Sequence, residues 1–168
     1  NINFNEINYK EINYKEINYK EINLSRYNYR MIMSPIVLLL IVLFINNNLG
    51  TRLKIGSFIV ILVLNYLALG SSYLGEKGNL NKKNANVTTI VVLIALFLYI
   101  YLSYMNNSSN LENNLVFGIL AFLWISHCII YREEDEEKKN YIFNILELGG
   151  VFLGLFIWLL LSKTIDLK

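Results

Sequence analysis

Five separate apolar runs, each long enough to cross a lipid bilayer, constrain the fold of this chain more than any other feature of its sequence. The runs are Met31–Ile45, Ile55–Tyr73, Val87–Met105, Leu115–Tyr131 and Tyr141–Leu161. Helices of about 15–21 residues reach roughly 22–32 Å at 1.5 Å per residue, close to the ~30 Å thickness of a hydrocarbon core. The sequence therefore predicts an all-α integral membrane protein, a bundle of about five transmembrane helices.

The composition supports the same class. Of the 168 residues, 55% are hydrophobic and 17% are charged, whereas soluble domains carry about 25% charged residues. The chain has one Cys and one His, too few for a disulfide framework or for a metal centre built by this chain alone. No nucleophile triad, phosphate loop or redox cysteine pair is present. We therefore expect no catalytic site, no metal and no cofactor bound by this chain alone.

The first thirty residues differ from the rest. The block Asn-Tyr-Lys-Glu-Ile recurs three times between Asn8 and Ile22. A period of five gathers its Ile and Tyr residues on neither a helix face nor a strand face. We therefore divide the chain into an extended low-complexity segment, residues 1–30, and a five-span bundle, residues 31–168. We expect partner proteins to hold the N-terminal segment.

Loop charges predict how the bundle is oriented. Three stretches on one side of a five-span chain, residues 1–30, 76–83 and 132–139, hold 11 of the 15 Lys and Arg residues. Lys and Arg accumulate on the side where a membrane protein is synthesised. The N-terminus is therefore predicted on that side, which is the matrix side in a mitochondrion.

Glu147 is the ionisable residue that lies deepest in an apolar run. A carboxylate at that depth faces a partner or water rather than lipid. Gly150 and Gly154 follow on the same helix face, in the spacing that lets two helices approach closely. Glu147 is therefore a candidate proton-relay residue, with a hydrogen-bonded structural residue as the alternative. Gly150 and Gly154 are candidate helix-packing residues.

Two further polar residues lie inside the runs. His127 comes shortly before the end of the fourth run, and its depth in the predicted hairpin matches that of Glu147. The two side chains could pair, which makes His127 the second proton-relay candidate; a hydrogen-bonded core histidine is the alternative. Asn65, in the second run, is expected to bond a neighbouring helix.

Codon bias and two apolar stretches suggest a family. Asn, Ile, Lys, Tyr and Phe dominate the chain, which indicates an AT-rich genome, either that of an organelle or an AT-rich nucleus. The stretches LIALFLYIYLSYMNN (Leu93–Asn107) and YIFNILELGGVFLGLFIWLLL resemble the third and fifth spans of subunit 6 of respiratory complex I, NADH:ubiquinone oxidoreductase. That family has a Tyr-x-Gly-Ala element that supports a π-bulge in its third span. The third run here has no Gly, which argues against that hinge.

This resemblance implies a non-redox subunit of the proton-translocating membrane arm, located in the mitochondrial inner membrane. It also implies other membrane subunits as partners and Glu147 as a member of a carboxylate–water chain, and structural lipids such as cardiolipin are candidate ligands. One alternative is a packing subunit of cytochrome c oxidase or ATP synthase without a proton role. An alternative of another class is a stand-alone small transporter or channel.

Overall fold

The first helix, α1, runs from Tyr19 to Leu49 and thus begins about three turns before the apolar run that predicts it. The computed structural model describes residues 18–106 and 110–165. The side chain of Asn18 caps α1 by accepting a hydrogen bond from the backbone N–H of Glu21. Tyr19–Arg30 is therefore helical rather than extended. Residues 1–17, which hold most of the repeat, lie outside the described residues.

Four more helices follow, and together the described residues contain five helices long and apolar enough to cross a membrane. They are α2 (Ile55–Lys77), α3 (Lys82–Ile100), α4 (Leu111–Ile130) and α5 (Glu136–Ile165). The predicted all-α membrane bundle is confirmed. Gly50 ends α1 with φ 63° and Gly78 ends α2 with φ 92°, and both angles lie in the left-handed region that glycine adopts without strain.

The last turn of the third span is a π-helix, Tyr101–Met105. It forms without a glycine, although the absence of Gly from this span argued against a bulge. The hydroxyl of Tyr104, in this segment, donates to the backbone carbonyl of Lys54 at 3.3 Å, and Met105 is buried. Contacts of these side chains with the α1–α2 connection and the core therefore accompany the wider turn.

Pro35 lies in the interior of α1. A proline at this position cannot donate to the carbonyl four residues earlier, that of Met31. The hydroxyl of Tyr66, on α2, donates to that carbonyl at 3.1 Å. A side chain from the neighbouring helix thus replaces the missing backbone donor.

The run of acidic residues Glu133–Glu137, which leads from the α4–α5 connection into α5, includes the cap of the last helix. The carboxylate of Asp135 accepts from the backbone N–H groups of Glu137 and Lys138, each at 3.1 Å. Lys138 also pairs with Glu133 at 2.9 Å, and this hydrogen bond lowers the pKa of the Glu133 carboxyl. The run therefore starts α5, where negative charge is favourable for a helix.

The core of the bundle surrounds the second half of α1, and α1 packs against α2, α4 and α5. Its centre consists of aliphatic side chains with at most 1% exposure: Leu38, Ile41, Val42, Ile45, Ile61, Leu96, Ile100, Leu120 and Ile157. Large apolar side chains on the outer faces remain exposed, as at Ile55, Ile59 and Val63 along α2. Such an outer surface suits contact with lipid. The first half of α1 is packed differently.

Candidate functional site

Polar side chains replace the aliphatic core in the first half of α1, and they face a second polar row on α5. On α1 the row comprises Asn23, Arg26, Arg30 and Ser34; on α5 it comprises Glu136, Asn140, Asn144 and Glu147. Spacings of three and four residues put each row on one helix face. Arg30 and Glu147 each follow their helix start by about 17 Å along the axis, so the two rows meet at equal depth.

Glu147 bridges two arginines of α1. Its Oε2 accepts from Nη1 of Arg26 at 2.7 Å, and its Oε1 accepts from Nε of Arg30 at 3.2 Å. The side chains of Arg26, Arg30 and Glu147 are 8%, 14% and 15% exposed. We name these three residues the Arg–Glu cluster. Two guanidinium groups face one carboxylate, so the cluster has one positive charge in excess.

Asparagines of α5 complete the hydrogen bonding of Arg26. Its Nη2 donates to Oδ1 of Asn144 at 2.8 Å and also to the side-chain oxygen of Asn140. Breaking a buried ion pair leaves an uncompensated charge and costs several kcal/mol, so such extra bonds matter to its geometry. The hydrogen bonds of Arg26 therefore fix the register of α1 against α5.

Aromatic rings enclose the second arginine. The Cζ atom of Arg30 lies 4.8 Å from the ring centre of Phe143 and 5.2 Å from that of Tyr27. The ring of His127 stacks on Phe143 with 5.7 Å between centres. A cation over a desolvated ring face is stabilised by about 2 kcal/mol. This packing holds Arg30 against α5, and the stacking of His127 on Phe143 joins α4 to the same aromatic group.

His127 and Glu147 do not bond each other directly. Nδ1 of His127 lies 2.7 Å from the carbonyl oxygen of Leu123, and Glu147 bonds the two arginines. Both side chains line the same small cavity, of about 60 Å³, so the matched depth expected for them is found, but the pairing is not. Cys128, which follows His127, is buried.

Two cavities flank Arg30. The smaller, described above, lies beside Glu147 and Gly150, and the larger, of about 100 Å³, lies among α1, α2, α3 and α4. Their shared lining is Arg30, Ser34, Trp124 and His127. The larger cavity is also lined by polar side chains: Asn65, Ser72, Asn86, Thr89 and Tyr131. Arg30 of the Arg–Glu cluster thus lies between the two cavities, and Glu147 borders the smaller one.

A second buried polar group lies at the end of the bundle where α1 and α5 start. Nδ2 of Asn23 lies 3.3 Å from Oε1 of Glu76 and 3.1 Å from Oε2 of Glu136. Nζ of Lys139 donates to Oε1 of Glu136 at 2.6 Å. Buried polar side chains therefore run from this end of the bundle to the Arg–Glu cluster.

The candidate packing residues differ in their surroundings. Nδ2 of Asn65 donates to Oγ of Ser34 at 2.9 Å and so joins α2 to α1. A methyl group added at Gly154 would touch Val37 at 3.5 Å, whereas one added at Gly150 would meet nothing within 4 Å. Gly154 therefore packs against α1, and Gly150 instead borders the smaller cavity.

Sequence reasoning missed three residues of this region. Arg26 and Arg30 were assigned to the N-terminal segment, although their spacing of four and the need of Glu147 for a partner could have indicated them. Gly75 makes the tightest helix contact: a methyl group there would lie 2.5 Å from Cβ of Ala85 and 2.6 Å from the hydroxyl of Tyr131. The pairing of two small residues across the α2–α3 turn was the available signal.

Comparison with known proteins gives one informative match. No protein-family model matches the chain, and no curated protein does. The crystal structure of the viral rhodopsin OLPVRII is similar with a TM-score of 0.77 and 31% sequence identity. The match covers 90% of this chain and 72% of that chain.

This match corrects the function expected from the resemblance to complex I. That resemblance used two apolar stretches, in which Leu, Ile and Phe match readily, whereas the rhodopsin match extends over 90% of this chain. The expectation of a respiratory-chain subunit is therefore wrong, and the alternative of a stand-alone membrane protein is favoured. With this identity and coverage, the chain belongs to the same family as the viral rhodopsin OLPVRII.

Proposed function

We propose that this protein is a stand-alone ion transport protein of the rhodopsin fold, in which the Arg–Glu cluster lies on the ion path. The family assignment supports a stand-alone membrane protein. The observation that carries the transport role is the cluster itself: three ionisable side chains, each at most 15% exposed, with Arg30 between two cavities inside the bundle. Ionisable groups inside membrane bundles are costly and commonly mark ion pathways.

The polar half of the path begins at the end of the bundle that carries Asn23 and Glu76. From there the path passes the Arg–Glu cluster and reaches the larger cavity, where Asn65 donates a hydrogen bond to Ser34. Asn23, Arg26, Arg30 and Ser34 lie on successive turns of one face of α1, so an ion would move along α1 from one hydrogen-bonding group to the next.

An apolar layer closes the path beyond Ser34. Leu38, Ile41 and Ile45 of α1 are fully buried there. An ion cannot cross such a layer without water or polar partners. The described arrangement is therefore a closed state, and transport requires the helices around Leu38 and Ile41 to separate.

The two cavities beside Arg30 do not fit a covalently bound retinal, the group that the word rhodopsin implies. Retinal is an aldehyde that a lysine amine binds as a Schiff base. The lysines in the described ranges lie at helix ends or between helices: Lys20, Lys54, Lys77, Lys82, Lys83, Lys138, Lys139 and Lys163. Neither cavity beside Arg30 is lined by a lysine, and the larger, of about 100 Å³, is smaller than the ~300–1,000 Å³ of ligand pockets. The proposal therefore uses no light-absorbing group.

The orientation predicted from loop charges is part of this proposal. It places the start of α1, and with it the entrance at Asn23 and Glu76, on the side where the protein is synthesised. Location in the mitochondrial inner membrane and proton transfer by Glu147 and His127 stay predictions.

Reconstitution tests the proposal. The chain, purified in mild detergent, is placed in liposomes, and chloride, potassium and proton fluxes are measured separately. We expect flux of at least one ion, reduced about tenfold or more by Arg30→Gln, because a buried charge partner is lost. Arg52→Gln is the matched control, since it removes a positive charge from an exposed position between α1 and α2.

Two results would refute the proposed function. One is that liposomes containing the protein are as tight as empty liposomes for all three ions. The other is that Arg30→Gln and Arg52→Gln change the flux equally, which would separate transport from the Arg–Glu cluster.

A further inference from the structure

The Arg–Glu cluster has an unbalanced charge in a place where charge is costly. Arg26 and Arg30 are 8% and 14% exposed, and both contact the single carboxylate of Glu147. Burial of an uncompensated charge in a low-dielectric interior is strongly unfavourable. The site would therefore be stabilised by one further negative charge.

The buried polar residues around Asn23 do not supply that negative charge to Arg30. Glu76 and Glu136 bond Asn23, and Glu136 also pairs with Lys139. Asn23 precedes Arg30 by about 10 Å along α1. The ion pairs of Arg30 with described residues go to Glu147 alone.

Arg30 also retains donor capacity. Its Nη2 lies 3.1 Å from Oε1 of Glu147 but is buried without a hydrogen bond, and so is the hydroxyl of Tyr131. Both residues line the larger cavity. Buried donors are normally bonded, so Arg30 and Tyr131 leave donor capacity for an acceptor placed in this cavity.

The lining of that cavity distinguishes between classes of ligand. It includes the guanidinium of Arg30 and the hydroxyls of Ser34 and Thr89, and it includes no carboxylate. A metal cation would need oxygen ligands, several of them charged. The volume of about 100 Å³ accommodates a monatomic or small polyatomic ion, because a water molecule takes up ~30 Å³ of liquid.

We propose that this cavity binds a small monovalent inorganic anion of the chloride class, with the Arg30 guanidinium as its charge partner. The binding site stands on the geometry of the cavity. Only the further step, that this anion is the transported ion, rests on the proposed function.

Equilibrium binding in detergent tests the site. Trp124 lines both cavities, and the chain has two Trp residues, so Trp158→Phe leaves Trp124 as the one fluorescent indole. Trp158 is 56% exposed on the outer face of α5, which makes this replacement a suitable background. Bromide is titrated against gluconate at constant ionic strength, and chloride then competes with bromide.

The charges give opposite expectations for two variants. In the Trp158→Phe background we expect a saturable fluorescence change, with bromide affinity lowered about tenfold or more by Arg30→Gln, since charged hydrogen bonds contribute that much. Glu147→Gln should raise the affinity severalfold, because it removes the competing negative charge. Arg52→Gln should leave it unchanged.

Other outcomes would overturn the site. They are a response that rises linearly without saturation, equal affinity in Arg30→Gln, or weaker affinity in Glu147→Gln. If Arg30→Gln does not fold, Arg30→Lys and Ser34→Ala replace it, and unaltered affinity in both would also refute the site. Saturable binding without flux in liposomes would retain the anion site and remove the proposed function; flux without binding would do the reverse.

Discussion

Arg26 and Glu147 are separated by 121 residues in the sequence and form an ion pair at 2.7 Å between α1 and α5. Asn140 and Asn144 bond the same guanidinium. This relationship joins the first helix to the last, and it fixes the rotation of α1 on which the polar path depends.

Removal of Arg26 should therefore be strongly destabilising. Arg26→Ala leaves the Glu147 carboxylate with one partner fewer, and breaking a buried pair costs about 3–5 kcal/mol. The melting temperature of the purified protein in detergent measures this loss, and Arg52→Ala should change it little. The double variant Arg26→Ala/Glu147→Ala should lose less than the sum of the two single variants, because the pair is coupled. Additive losses would contradict the pairing.

Gly75 and Gly150 should respond to the same substitution with opposite signs. Gly75→Ala forces a methyl group against Ala85 and Tyr131, and overpacking of this kind costs about 1–3 kcal/mol. Gly150→Ala meets nothing within 4 Å and should stabilise the helix by about 0.5–1 kcal/mol. Thermal unfolding of both variants in one detergent checks this, and equal shifts would count against the described α2–α3 contact.

Retinal should not form a chromophore with this chain. A Schiff base needs an amine near a pocket inside the bundle, and no lysine lines the cavities beside Arg30. The cavities that lysines line, about 420 Å³ at Lys20 and Lys82 and about 300 Å³ at Lys54, lie at helix ends. Addition of retinal to the purified protein should give no red-shifted absorption band. A band that disappears in Lys139→Arg would contradict this prediction, because Lys139 is the lysine that is 1% exposed.

The membrane-spanning helices could be predicted because apolar runs report directly on burial in lipid. The second run, for example, begins at Ile55, where α2 also begins. The start of α1 at Tyr19 could not be predicted in this way, since its helical conformation is accompanied by contacts of Asn23 and Arg26 with α2 and α5. Tertiary contacts of this kind override local pattern.

The candidate site was predicted only in part, because part of it depends on contacts between distant helices. Glu147 and His127 could be found because polar residues inside apolar runs are conspicuous. Their partners were missed because Arg26 and Arg30 precede the first apolar run, and only the need of Glu147 for a partner pointed to them. Gly154 lies against Val37 of α1 and Gly150 lies in open space, and sequence alone does not tell which of the two glycines faces a helix.

The spacing of polar residues along α1 restricts where residues can be inserted into the sequence. Insertion of one residue between Arg26 and Ser34 would turn the two ends of this stretch by about 100° relative to each other. Arg26 could then face α5, or Ser34 could face Asn65, but not both. Units of the Asn8–Ile22 repeat precede Asn23 in the sequence, so copies can be gained or lost there without altering that angular relationship. A change in the number of repeat copies therefore keeps the angle between Arg26 and Ser34, whereas one residue inserted between them would break either the Arg26–Glu147 pair or the Ser34–Asn65 bond.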